Sequence, residues 1–463
     1  MLACALLALC ACMRPPPPAP RQPLAELPAW LPPAPANDEW PGARWWQRFE
    51  DSTLDALVTE ALRENPDLRR ASARVAEAAA LENLRLAADE PVLRADVGAA
   101  GQRFSANSTQ AKLAGESFSV ATLAPVDAAW HLDLWGRDRS ELAAAQGEHR
   151  AAAAERQLAE VLVSTATARA WLRLSLTTGA LEEARALQRN LAAQRRQLGA
   201  EVRAGLSTGV ALDANRANLA EAEQRVAGLT RLDATLRHQL AVLTNQPLAQ
   251  GPLRTPTPAS YALPSDIPLH ALARRPDLQA ARERALAAGH RIDAARAAYR
   301  PDLNLRALVG FQAVGLMHAL LTPASLFANV GPTLELPLFD GGRLDAQLGL
   351  REAAYREAVA AYDSRLLELV RNVEDALARH AEAGRRITAQ SDAVAAAESA
   401  RERAGSARRA GLTAALPLLE REYTAGLARL ALLDAQAGLA AAYVDVVEAL
   451  GGGTREMQET PHE

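Results

Sequence analysis

Proline is absent from Val126 to Gln246 and again from Leu338 to Leu416, although the 463-residue chain holds 27 prolines elsewhere. A helix interior excludes proline, because the ring removes a hydrogen bond and clashes with the preceding turn. Two such silences therefore predict two long helical regions. The chain is 49% hydrophobic but only 4% aromatic, and alanine and leucine, which favour helix, make up the difference. Alanine-rich helices are thin and approach closely, so the expectation is long packed helices rather than a thick globular core.

The silences frame a duplication. ENPDLRRASARVAEA at Glu64 matches RRPDLQAARERALAA at Arg274, with Pro66 and Pro276 210 positions apart. Pro91 and Pro301 repeat that offset, in EPVLRADVGA and RPDLNLRALVG. LDLWGRDRSEL at Leu132 meets LPLFDGGRLDAQL at Leu336, and RAGLSTG at Arg203 meets RAGLTAA at Arg409. Arg137 and Arg343 are 206 apart, as are Arg203 and Arg409. Four anchors in one order predict an internal tandem repeat, 45–246 and 269–453, with a proline-rich linker at 247–268 and a tail at 454–463.

Each half follows one recipe. A helix begins at Asn-Pro-Asp or Arg-Pro-Asp, with proline and an acid suited to a first turn, and ends at Pro91 or Pro301. A stretch of period two follows. Leu93, Ala95, Val97 and Ala99 share one side against Arg94, Asp96 and Gln102. After a polar loop (Ser105 to Glu116), Val126, Ala128, Trp130, Leu132 and Leu134 oppose Asp127, His131 and Asp133. In the second half Leu303, Leu305, Ala307, Val309 and Phe311 oppose Asn304, Arg306 and Gln312, and a returning strand is expected from Leu326 to Phe339. These read as β-hairpins, about 91–135 and 301–340, with strands of roughly 10 residues, the length that crosses a bilayer when tilted. Leu305–Leu321 could alternatively be a marginal transmembrane helix, but Gln312, His318 and its glycines weaken that reading, and the matching window of the first half is far too polar. Long helices then start at Gly136 and Gly342, run to about Arg203 and Arg409, and return through glycine turns at Gly205, Gly209 and Gly411 as coiled-coil hairpins, about 136–246 and 342–450.

Phe104, Phe118, Phe311, Phe327 and Phe339 fall inside the hairpin windows, with Trp130 and Trp135. Aromatic girdles at a membrane interface concentrate residues in this way, although aromatics also favour strands in general. A sheet in lipid cannot leave edges unpaired, and the smallest closed barrels need about eight strands. One chain supplies four, so membrane-spanning strands require an oligomer that shares one barrel. The N-terminus adds an export signal: an apolar run, LLALCAC, precedes MRPPPPAP, and Leu9-Cys10-Ala11-Cys12 has the form of a lipobox. Cleavage before Cys12 removes residues 1–11 and leaves an acylated Cys12; Cys10 fits less well because bulky Leu9 precedes it. The following segment, 12–44, holds all eleven early prolines and is expected to lie extended on a surface, held by Trp30, Trp40, Trp45 and Trp46.

The Cys12 lipobox, WWQRFEDSTLDALVTEAL (Trp45 to Leu62), NPDL, LDLWGR, RPDL, LPLFDGGR, RAGLTAALPLLEREYTAGLARL and ALGGG together resemble the outer-membrane factors of Gram-negative bacteria, the TolC/OprM type, in their lipoprotein branch. The resemblance spans about residues 12 to 453. It implies a mainly α fold with transmembrane β: a homotrimer whose four strands per chain form a 12-stranded β-barrel continuing into a long α-helical coiled-coil barrel. It implies an outer-membrane location, lipid-anchored and extending into the periplasm. The function implied is passive conduction of small toxic compounds from an inner-membrane pump, of the resistance-nodulation-division type, and a periplasmic adaptor (membrane fusion) protein to the exterior. No cofactor is implied beyond the covalent lipid on Cys12.

The family closes its periplasmic helix tips with acidic side chains, one of them six residues beyond the second turn glycine. Here Pro417 holds that place and Glu420 stands nine residues beyond Gly411; in the first half Ala211 takes the corresponding place, with Asp213 two further. Asp213 and Glu420 are therefore the candidate gate acids, with Arg409 and Arg421 as tethering partners. Gly205-Leu206 and Gly411-Leu412 are candidate docking turns, because glycine permits a positive φ and the leucine offers an apolar knob to an adaptor hairpin. Charge is nearly balanced, 51 basic against 55 acidic residues, which points away from nucleic acid. The eight histidines lack metal-pair spacing, and no phosphate loop or dinucleotide motif is present, so neither enzyme chemistry nor a metal site is expected. The competing reading is a soluble periplasmic scaffold or adaptor built from the same coiled-coil hairpins, which would have no need of aromatic-rich strands.

Overall fold

The computed structural model describes residues 16–18, 20–26, 41–103, 105, 107, 117–206, 208–248, 261–264, 269–314 and 320–453. Helices α1 (Ser52–Glu64) and α2 (Pro66–Leu86) lead into strands β1 (Val92–Arg103) and β2 (Ser117–Leu132). The long helix α3 (Arg137–Arg203) then runs out and α4 (Gly209–Thr244) returns. The second half repeats the order with α5 (Pro276–Ala297), β3 (Asp302–Val314), β4 (Leu326–Glu335), α6 (Arg343–Arg409) and α7 (Ala415–Ala449). Both α3 and α6 contain 67 residues. At 1.5 Å per residue each is about 100 Å long.

The chain divides into two compact units, and each takes segments from both halves. Unit one comprises Met1–Leu24, Arg74–Ala152 and Ala280–Tyr362. It contains a four-stranded antiparallel sheet in the order β1-β2-β3-β4. The two hairpins thus join through β2 and β3, one strand from each half. Residues 305–314, within the stretch that could have been a membrane helix, are strand. β2 begins at Ser117, directly after the expected polar loop, and Pro125 is accommodated where the register of β2 shifts between Leu123 and Val126. One limit differs from that expected. β4 stops at Glu335, short of Phe339, because Pro337 and the turn at Asp340–Gly342 end the ladder. In the helical part of this unit, alanine allows the close packing expected: a Cβ on Gly147 of α3 would lie 3.0 Å from the Cβ of Ala287 on α5. Described residues of the proline-rich segment up to Leu24 lie on this unit, with Arg21 donating to Asp293 at 2.5 Å and Tyr355 Oη donating to the Gln22 carbonyl at 2.8 Å.

Unit two comprises Ala25–Ala73, Ala153–Gln279 and Asp363–Glu463. Its main core gathers Trp45, Trp46, Phe49, Leu54, Val58, Trp171, Leu172, Leu240, Tyr261 and Tyr443. Asp51 organises the entry: its carboxylate accepts from the Thr53 and Leu54 amides, capping α1, and from Trp171 Nε1 at 2.7 Å. Helix α7 is long and apolar enough to cross a membrane by composition, with mean hydropathy 1.5, but 56% of that window is buried in the protein. It is the core helix of this unit.

Candidate functional site

The register of the sheet sorts its residues into two chemically different faces, since directly paired residues share a face. One face is built of the rows Leu132–Leu303–Leu334, Trp130–Leu305–Pro332, Ala128–Ala307–Val330, Val126–Val309–Ala328 and Leu123–Phe311–Leu326, with Leu93 and Val97 on β1. Every member is apolar. Much of this face is exposed, Val97 by 80% and Val330 by 67%. The other face is mixed: it carries Arg94, Asp127, His131, Asn304, Arg306, Gln312, Asn329 and Thr333, with Val92, Leu308 and Phe327 among them. The outermost apolar rows are eight residues apart along β3, roughly 27 Å along the strand, or about 20 Å in height at the tilt of barrel strands, against an apolar band of about 25 Å on an outer-membrane barrel. Among the described residues β1 pairs only with β2 and β4 only with β3, so the sheet has two open edges. Pro332, which lacks an amide donor, lies on edge strand β4, where its cost is lowest.

Aromatics mark both ends of this apolar face. Trp130 donates to the Asp89 carbonyl at 2.9 Å, and Trp135 donates to the Pro301 carbonyl at 2.8 Å beneath the Arg300 guanidinium. Phe339 is 91% exposed at the foot of β4. At the far end Phe311 sits on the apolar face and Phe327 pairs with Gly310 on the other. The Phe118 side chain and Phe104 lie outside the described residues, as does Cys12. Where strands become helices, each half uses an aspartate a few residues ahead of the helix to serve its first amides. Asp133 accepts from the amides of Arg137 and Arg139 at 2.7 and 3.0 Å, and Asp340 accepts from those of Gly342 and Leu344 at 3.0 and 2.8 Å. That is the physical content of LDLWGR and LPLFDGGR.

The long helices close identically at their far ends. Gly205 (φ +71°) donates to the Val202 carbonyl at 3.1 Å and Leu206 to that of Glu201 at 2.8 Å. Gly411 (φ +74°) donates to the Arg408 carbonyl at 3.0 Å and Leu412 to that of Ala407 at 2.9 Å. Both are Schellman closures, in which the residue after the glycine commonly packs back on the helix. Here the facing positions are Glu201, which is charged, and Ala407, which offers only a methyl group, and Leu206 and Leu412 are 79% and 81% exposed. Helices α3 and α7 are tied below the turns, where Asn190 donates to Glu422 at 3.0 Å and Gln194 to the Leu419 carbonyl at 3.2 Å. From that tie the two turns lie roughly 16 and 12 Å further along their helices, within about one helical turn of the same level. The candidate gate residues are not joined as expected. Asp213 pairs with Arg216 on its own helix at 2.8 Å, a three-residue spacing that needs no other element. Arg409 donates to Ser406 at 3.1 Å, and neither Glu420 nor Arg421 has an ion-pair partner among the described residues.

A protein-family model described as outer membrane efflux protein matches residues 57–246 and 267–452. The chain belongs to that family. Membership makes it an efflux protein and not an enzyme. It is 32% identical over 367 residues to the multidrug resistance outer membrane protein MdtQ of Escherichia coli O157:H7, a match covering 76% of this chain and 75% of the relative. The crystal structure of the outer membrane protein VceC from Vibrio cholerae matches with TM-score 0.78 at 30% identity, over 89% of this chain and all of the other. The open-state structure of the Neisseria gonorrhoeae MtrE outer membrane channel matches with TM-score 0.75 at 26% identity, over 86% and 89%.

Two further features of this efflux protein escape the sequence pattern. The Pro-Asp-Leu motifs clasp the C-termini of the returning helices. Asn65 donates to the Leu243 carbonyl of α4 at 3.0 Å, while Arg275 donates to the Glu448 carbonyl of α7 at 2.8 Å and also to that of Ala449. Arg275 simultaneously holds Asp277, through Nε at 3.0 Å and Nη2 at 2.6 Å, and Arg365 reaches the same carboxylate at 2.7 Å. Burial pushes the Asp277 carboxyl up, but the two guanidinium groups overcome it and hold it below the usual range. The second feature is Gly310, where a Cβ would fall 2.5 Å from the Leu123 carbonyl at the β2 irregularity. A spacing of strands in space, not in sequence, creates that requirement. No group of metal-ligating side chains able to hold an ion occurs among the described residues.

Proposed function

We propose that this protein is the outer-membrane channel of a tripartite export assembly, passively conducting small toxic compounds from an inner-membrane pump and a periplasmic adaptor to the exterior. Three copies pool their sheets, β1 of one meeting β4 of the next, to give a 12-stranded barrel continuing into a coiled-coil tube. The observation that carries this reading is the sheet itself: every row on one exposed face is apolar, and two open edges remain that could not stand in lipid unpaired. The matched order of elements in the two halves supports a tandem duplication. A lipid on Cys12 would anchor the chain to the outer membrane, and a pump of the resistance-nodulation-division type is the partner the resemblance favours.

The test is purification from membranes in detergent with native mass measurement, followed by conductance across a planar bilayer. The expected result is a mass of three mature chains, each the 49.3 kDa precursor less residues 1–11 and plus its lipid, with bound detergent and discrete channel openings. A monomer recovered from the soluble periplasm, with no conductance, refutes the proposal. The intact mass of the mature chain tests lipidation, which Cys12→Ala should abolish.

A further inference from the structure

The two turns carry positive charge that the rest of the chain does not. Residues 195–216 and 401–422, the matching windows around the turns, hold nine arginines and five acidic residues, in a chain whose overall charge is −4. No acidic residue stands between Glu201 and Asp213, or between Glu402 and Glu420, whereas Arg203, Arg403, Arg408 and Arg409 fall in those gaps. Several of the acids already have partners: Asp213 is paired with Arg216 at 2.8 Å, Glu422 accepts from Asn190 at 3.0 Å and Glu201 from Gln197 at 3.0 Å. The arginines beside the turns are not neutralised. Arg203 and Arg408 have no carboxylate partner among the described residues, and Arg403 and Arg409 reach only Ser399 and Ser406. All four are exposed, and the apolar side chains beside them, Leu206, Val210 and Leu412, are exposed as well.

We infer that this end of unit two recognises an acidic partner: a helical hairpin whose turn offers an apolar notch to Leu206 and Leu412 and whose flanks bear carboxylates opposite Arg203, Arg408 and Arg409. The inference rests on the adaptor reading above and adds the chemistry of the adaptor's tip. Exposed ion pairs contribute little affinity individually, about 0.2–1 kcal/mol. Their effect is on encounter rate and on exclusion of like-charged competitors. The leucines supply the apolar contact and the arginines choose which hairpin may make it.

The test uses the full-length protein in detergent, immobilised, and two synthetic antiparallel helical-hairpin peptides. The peptides are identical except at four positions flanking the turn, Glu in one and Lys in the other. The Glu peptide should bind about tenfold or more tightly at 50 mM NaCl, with the advantage falling below about threefold at 500 mM as screening shortens. The triple variant Arg203→Glu/Arg408→Glu/Arg409→Glu should invert the preference, and the corresponding Gln variant should erase it. Equal binding of the two peptides, or an unchanged preference in the charge-reversed variant, overturns the inference. A second arm measures dye accumulation in cells carrying the charge-reversed variant or Leu206→Ser/Leu412→Ser. Loss of export in both supports the inference. Loss in the leucine variant alone overturns the charge chemistry and leaves the adaptor reading standing, whereas normal export in both removes the adaptor reading itself.

Discussion

Replacing Asp277 by Asn keeps the shape of the side chain and removes its charge, and the structure says what that costs. The Asp277 side chain is 5% exposed and that of Arg275 is 8% exposed. In the variant the Arg275 guanidinium stays buried, still bonded to the α7 carbonyls but facing a neutral amide. Removing one partner of such a buried pair costs about 3–5 kcal/mol, because the remaining charge cannot reach water. Arg365 is a useful contrast. Its side chain is 36% exposed, so Arg365→Gln leaves Asp277 paired with Arg275 and should cost about 1 kcal/mol or less. Thermal unfolding followed by far-ultraviolet circular dichroism in detergent should show Asp277→Asn melting roughly 6 °C or more below the parent, and Arg365→Gln within about 3 °C. The pH dependence has a definite sign. The native Asp277 carboxyl is held below its unfolded value, near pH 4. Its contribution is therefore complete above that value and is lost as pH falls through the lower native one. The gap between parent and Asp277→Asn should be constant from pH 7 to about 5 and shrink below pH 4. A variant as stable as the parent at pH 7, or a gap that persists unchanged to pH 3, refutes the reasoning.

Glycines at close approaches should divide by what they face. Gly453→Ala would place a Cβ 2.0 Å from the Gly42 carbonyl at φ +70°, so the backbone must move, with a loss above about 3 kcal/mol in melting experiments. Gly426→Ala meets the Cδ2 end of Leu187 at 2.4 Å, a movable group, and should cost only about 1–2 kcal/mol. Asp51→Ala deletes a helix cap and the partner of the buried Trp171 indole, and a drop of about 2–3 kcal/mol is expected by the same assay. On the apolar face, Val97→Arg should cost about 2–4 kcal/mol if that face meets lipid at mid-membrane, read as loss of protein from the outer-membrane fraction; normal recovery would contradict the assignment of the face.

The features legible in advance were the ones that local stereochemistry enforces. Gly136, Gly205, Gly342 and Gly411 punctuate the long helices, and the observed limits, Arg137–Arg203 and Arg343–Arg409, follow those residues closely. Alternation located all four strands because one face of the sheet is uniformly apolar. It misjudged one end where the pattern and the ladder part company: Leu336–Phe339 keeps the period, yet Pro337 stops the ladder. The division into two units that mix the halves was invisible, since β2 meets β3 across an interval of more than 150 residues. The same applies to the buried charge cluster: Arg365 is 88 positions from Asp277, and the other acceptors of Arg275 are backbone carbonyls, which no side-chain motif reports. At the turns, glycine geometry was readable, but the partner of Asp213 was not, because Arg216 competes from the same helix.

The two Pro-Asp-Leu clasps differ for a reason that lies in what they cap. Helix α4 ends at Asn245, exposed and left-handed at φ +55°. Most of its final carbonyls can be served by water, and one amide from Asn65 suffices. Helix α7 ends buried, with Ala449 at 8% and Leu450 at 3% exposure, followed by three consecutive glycines at positive φ. Buried carbonyls without donors are costly, and here the partial negative charge of a helix C-terminus adds to the demand. A guanidinium meets both requirements at once, but it then needs a counter-charge of its own, which Asp277 provides from the first turn of α5. Arg275→Asn, which would copy the first-half motif into the second, should therefore fail to substitute: the Glu448 carbonyl keeps the Gly451 amide, but the Ala449 carbonyl loses its guanidinium donor and Asp277 keeps only the Arg365 charge. If that variant instead matched the parent in stability, the argument that burial of the α7 terminus dictates the charged clasp would be wrong.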